Sequence, residues 1–271
     1  MQPDEDRDLR KLLSLLDKAD AWRETTDRPA AAWHVQPGSP LAGDDAKTDP
    51  YQVSHSAWHA LTVAVDHIQC LRSSLVSELT DRSASILIHT HAQSSLIRGA
   101  FENGARAVWM LGPPTRLDRV TRRLSLQAKE VRHSARMQAL VGHQGPRTVE
   151  QREQQLIDLV IKAGVASHDA KKALRSPQYS DIVKAAGELT ELGADLAEVV
   201  WSGCSSLAHG DITGTIALLD REIVERVGDI HHVRITASVS GLYWCTIASF
   251  VLINAGFDLF RTRSTAPHSH R

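Results

Sequence analysis

The chain has 271 residues, 42% of them hydrophobic and 23% charged, which is ordinary usage for a globular protein. That composition excludes a wholly disordered chain, a collagen-like fibre and a disulfide miniprotein. Lys plus Arg number 31 against 32 Asp plus Glu, for a net charge of -1, so no global cationic field advertises nucleic acid.

In chain order, residues 4–22 carry Leu9, Leu12, Leu13, Leu16 and Ala19 at spacings of three and four, which predicts an amphipathic helix. Residues 23–50 hold Pro29, Pro37, Gly38, Pro40, Gly43 and Pro50 and read as a long flexible loop. Residues 1–50 are therefore expected to form a helix and a joint ahead of a bundle domain over 51–262, with a disordered tail at 263–271. Trp58, Leu61, Val65, Ile68, Leu71 and Leu75 fall on one face of a helix predicted over 51–79. Asp81 is a candidate cap for the next helix, which runs to Leu111 and stops at Gly112-Pro113-Pro114. Thr115 caps a third helix over 115–141, ended by the Gly142 to Pro146 stretch. Further helices are predicted at 148–163, 168–174, 179–189 and 194–208. The β-prone runs 213–219 and 223–227 predict a small hairpin or a helical excursion, and the last long helix is expected over 230–260. The whole reads as an all-α, antiparallel multi-helix bundle with a small hairpin near 213–227.

The 23 positions 235–257 contain no charge and are long enough to span a bilayer. Thr236, Ser238, Ser240, Thr246, Ser249 and Asn254 dilute the run, and the expectation is a buried central helix and no membrane partner. Cys70, Cys204 and Cys245 are far apart in sequence and form no CxxC, which argues against a disulfide framework or a thiolate metal site and for a reducing, cytoplasmic compartment. The acidic Asp4-Glu5-Asp6 start carries no export signal. There is no GxxxxGK[ST], GxGxxG, HExxH or GxSxG, so no cofactor and no metal are expected.

Several constellations stand out. His91, Ser95, Arg98, Glu102 and Arg106 line one stripe of the second core helix, opposite Ile97, Phe101, Val108 and Leu111. Arg98 and Glu102 are spaced i, i+4 and are expected to pair. Gly99 and Gly104 on the same helix suggest close approach of other helices. His209, before Gly210 at the end of a predicted helix, is either a carbonyl cap or a titrating group near the Arg98 stripe. His91, Arg98, Glu102 and His209 are thus the candidate ligand-binding residues, with a structural ion pair as the competing reading. His55 and His59, i and i+4, could begin a metal site, although Ser73 and Ser77 on their stripe suggest a wet face. On the helix at 115–141, Arg122, Lys129, Arg132 and Arg136 cluster on one face. That face is a candidate for phosphate contacts or a solvated basic surface.

Asp49-Pro50-Tyr51, Val65-Asp66-His67, the run from Leu96 to Glu102, Ala107 to Leu111, and Arg119-Val120-Thr121-Arg122-Arg123 resemble a group of helical actinobacterial proteins of unknown function, over less than half of the chain. Arg82-Ser83-Ala84-Ser85-Ile86-Leu87-Ile88-His89 is similar to the Arg-spacer-His motif of HEPN-type helical domains, many of them ribonucleases of toxin–antitoxin and phage-defence systems. That resemblance implies a metal-independent ribonuclease in which Arg82 steadies charge on the phosphorane and His89 is the general base or acid. Two functional expectations follow. The first is a helical protein that acts by assembly, as a homo-oligomer or with a protein partner. The alternative is a HEPN-like enzyme with RNA as partner.

Overall fold

The computed structural model describes residues 3–28, 33–79, 84–143 and 145–267. The fold is predominantly helical, with two small antiparallel two-stranded sheets. It opens with α1 (Pro3–Lys18) and α2 (Asp20–Thr26). Leu12 and Leu16 of α1 are fully buried against the body of the protein. The segment expected to be a loop, 23–50, is partly helical. It contains the end of α2 and all of α3 (Pro40–Thr48). The prolines misled the reading, because Pro40 sits at the first helical position, where its missing N–H costs nothing. The Ser39 hydroxyl accepts from the Ala42 N–H at 3.2 Å and caps the helix.

Helix α4 (Val53–Leu75) covers most of the predicted 51–79 segment. Its last residues turn instead into β1 (Val76–Leu79), paired with β2 (Ala84–Ile86). Helix α5 (Ala92–Leu111) therefore starts later than expected, and the Asp81 cap lies outside the described residues. Then come α6 (Arg116–Leu140), α7 (Val149–Ala163), a 3-10 turn (Ser167–Asp169) with α8 (Ala170–Ala173), α9 (Tyr179–Glu188) and α10 (Ala194–His209). These match the expected helices closely. Thr115 caps α6, its hydroxyl accepting from the Asp118 N–H at 3.1 Å.

The hairpin is present and displaced. The first β-prone run forms the short α11 (Ile212–Leu218), and the strands are β3 (Asp220–Val227) and β4 (Ile230–Thr236). Gly228, at φ 61°, takes the left-handed position of the two-residue turn between them. The last helix, α12 (Val239–Ser264), begins after that hairpin. It is long and apolar enough, by length and composition alone, to cross a membrane. In this fold Leu252 and Ile253 are fully buried in the core.

Helix α5 is the axis on which the rest is assembled, packed by α4, α12, α10 and α9. Its glycines permit this. A Cβ on Gly104 would stand 3.1 Å from Leu252 Cβ and 3.3 Å from the Ile253 backbone N of α12, and one on Gly99 would collide with the His67 ring of α4. The chain end is tied in as far as it is described: Arg263 donates to the Pro113 carbonyl at 3.1 Å, and the Gln36 N–H to the Ser264 carbonyl at 2.9 Å. Residues 268–271 of the expected tail lie outside the described residues.

Candidate functional site

The stripe on α5 meets α10, the contact that spacing alone left open. Arg98 Nε donates to Glu102 Oε1 at 2.9 Å, so the expected pair forms, with the two side chains 25% and 16% exposed. The same carboxylate oxygen accepts the Trp201 indole N–H at 2.7 Å. Arg98 Nη1 lies 3.0 Å from His209 Nε2. A guanidinium only donates, so Nε2 must accept and the imidazole carries no proton there. At the start of the stripe, His91 Nδ1 lies 3.0 Å from the Leu207 carbonyl, an oxygen that only accepts, so Nδ1 carries the proton. The Leu207 carbonyl also accepts the Gly210 N–H at 3.1 Å, so His91 is a second donor at the end of α10. His91, Arg98, Glu102 and His209 thus form one clasp between α5 and α10. Trp201 completes it, and its role was not legible without the fold.

Sharing Leu207 with the clasp is a mainly apolar cavity of ≈ 150 Å³, lined also by His89, Ile97, Leu242, Cys204 and Cys245. The two cysteines come from α10 and α12 and hydrogen-bond each other through their side chains. That contact, followed by burial, pushes the Cys204 thiol well up, while the bond from Cys204 holds Cys245 below its ordinary value.

Of the residues assigned by the HEPN resemblance, Arg82 lies outside the described residues. His89 is exposed in the segment between β2 and α5, not on a helix. Its position is set by Gln93, a fully buried amide that the sequence reading did not single out. The Gln93 side chain accepts from the His89 backbone N–H at 3.0 Å and donates to the Leu87 carbonyl at 3.1 Å.

The basic face of α6 is divided. Arg122 turns to the protein: it stacks on the Trp109 ring at 4.9 Å and donates to the Trp109 carbonyl, and burial lowers its pKa. Lys129 lies over the Tyr179 ring at 4.7 Å, and Arg132 donates to Ser176 Oγ at 2.7 Å and to Glu153 at 3.1 Å. Arg136 is exposed farther along. Arg132 also borders an open cleft of ≈ 610 Å³ with Lys171 and Arg175 at its edge and Leu156 and Leu174 at its base. His55 packs edge-on against Trp33 at 5.8 Å, and among the described residues no three metal-ligating side chains gather.

The hairpin is the part least held by the rest of the protein. Every residue of β3 is exposed, and β4 is exposed at all but one position. Among the described residues its two strands pair only with each other. Exposed apolar side chains continue around its root on Val199, Ile212, Ile216, Leu218 and Trp244. No family model matches the chain, and neither a curated protein nor a solved structure matches it.

Proposed function

We propose that this protein acts by assembly with a second copy of itself through the β3–β4 arm. The observation that carries the reading is the arm itself: a hairpin exposed on both faces, with Ile223, Val224, Val227, Ile230 and Val233 open to solvent. An isolated two-stranded hairpin is marginal in water, and its free edges are templates for further strands.

The charges of β3 favour a second copy as the occupant. Glu222 is paired with Arg234 across the hairpin at 3.1 Å. Among the described residues Asp220, Arg221, Glu225 and Arg226 have no ion-pair partner. Antiparallel pairing of two β3 edges about a two-fold axis at Ile223 sets Asp220 against Arg226 and Arg221 against Glu225 of the other copy. All four unpaired charges are then matched, whereas a one-residue slip of the pairing in either direction opposes like charges, Arg221 with Arg226 or Asp220 with Glu225. Such pairs add little affinity at a wet surface, but they select the register.

Light scattering on the intact chain tests this. A dimer that becomes monomeric in Asp220→Arg and returns in the swapped Asp220→Arg/Arg226→Asp variant is the expected result. A wild-type monomer at tens of micromolar, or a dimer insensitive to both changes, overturns it. The ribonuclease alternative rests on Arg82 and His89, and no observation on the described residues favours it over assembly.

A further inference from the structure

Cys204 and Cys245 stand 41 positions apart in sequence and meet, thiol to thiol, in the wall of one apolar cavity. Cys204 is buried, Cys245 half-buried, and the third cysteine, Cys70, is exposed on α4. From this placement we infer that Cys204 and Cys245 form a reversible dithiol–disulfide site, oxidised by a small apolar hydroperoxide that enters the cavity.

A cavity of this size accepts a molecule about as large as benzene. The lining supplies apolar contact for the organic part of a hydroperoxide and two thiols as its oxidisable groups. Cys245 is the attacking sulfur, because it is the more accessible of the two and the hydrogen bond from Cys204 favours its thiolate. Its proton passes to water. The thiolate sulfur bonds to the distal oxygen of the hydroperoxide, the O–O bond breaks, and the alkoxide takes a proton from water and leaves as an alcohol. Cys245 is now a sulfenic acid. The Cys204 sulfur then attacks the Cys245 sulfur and loses its proton, the S–O bond breaks, and water leaves. Two thiols have given up two electrons and the hydroperoxide has taken them. Reduction by a dithiol reverses the bond through exchange.

The position of the pair gives the bond a structural effect. Cys204 lies on α10 and Cys245 on α12, and everything between them in sequence is the end of α10, α11, the β3–β4 arm and the start of α12. A disulfide would join the two roots of that excursion. This inference does not depend on the assembly reading, since oxidation is measured on either a monomer or a dimer.

The test treats the reduced full-length protein with tert-butyl hydroperoxide, quenches by alkylation under denaturing conditions, and counts free thiols before non-reducing peptide mapping. Free thiols should fall from three to one, with Cys70 retained and a Cys204–Cys245 peptide linked within one chain. A dithiol reductant should restore all three. In Cys204→Ser, a dimedone adduct should appear at Cys245. Retention of three thiols under native conditions, or bonds that involve Cys70 instead, would overturn the inference. Should the variant not fold, the thiol count and map of the wild-type protein decide alone.

Discussion

Asp44 shows how much of this fold hangs on single polar groups. Its carboxylate is fully buried and accepts from Arg119 Nε at 2.6 Å and Nη2 at 3.0 Å, while Arg119 also donates to the Pro113 and Pro114 carbonyls at 2.9 Å each. Asp44→Ala would leave a buried guanidinium without its counter-ion. Denaturant unfolding should show a loss of about 3–5 kcal/mol. Its neighbour Asp45 behaves oppositely. Burial raises its pKa above the ordinary 3.8, against hydrogen bonds from Ser54 that lower it. A carboxyl raised in the folded state binds more protons folded than unfolded, so its contribution to stability declines as pH rises from 3.8 through the folded-state value. Asp45→Asn should flatten that part of the stability profile and cost nothing at neutral pH, as thermal melts of both forms across the acid range would read. For the clasp, a double-mutant cycle on Arg98→Ala and Glu102→Ala should return a coupling of about 1–2 kcal/mol, the range for a half-buried pair. Additive single losses would mean that the stripe faces water. The Arg98–Glu102 pair was legible in the sequence because i, i+4 spacing is a local rule. The bonds to Trp201 and His209 were not legible, because they join positions about a hundred residues apart and exist only once α10 lies on α5.

The helices were legible wherever apolar periodicity ran long, as in α4, α5, α6 and α7. Periodicity failed where the chain changed hands between states. The 76–79 segment continues the apolar pattern of α4, so nothing local marks its turn into β1. Residues 230–236 adjoin an uncharged run and were absorbed into α12, although Val227-Gly228-Asp229-Ile230 carries the glycine of a hairpin turn. Helix α3 was hidden by prolines and glycines that read as loop, with only Ser39-Pro40 to signal a cap and a first turn. Tight helix contacts make further tests. A Cβ on Gly187 of α9 would meet the Gly193 carbonyl oxygen and the Ala197 side chain. Backbone has little room to retreat there. Gly187→Ala should therefore lose about 1–3 kcal/mol to overpacking, despite gaining up to about 1 kcal/mol of helix propensity. A melt as stable as the wild type would show that α9 and α10 can separate freely.

At the scale of the whole molecule, protection should be graded outward from α5. Native-state hydrogen exchange should find the amides of α5 among the slowest, because α4, α9, α10 and α12 enclose it. Amides on the outer edges of β3 and β4 should exchange within the dead time in a monomer, and those of β3 should slow on dimerisation. The enclosure of α5 also has a cost during synthesis. The Leu252–Ile253 surface that seats against Gly104 belongs to α12, and α12 begins only at residue 239, while α5 ends at 111. At a translation rate of roughly 5–20 residues per second, the apolar face of α5 waits on the order of ten seconds for its cover. Over that interval the nascent chain presents a greasy groove to solvent and to any holding chaperone. A ribosome that stalls before 239 would release a polypeptide rich in helix and unable to close.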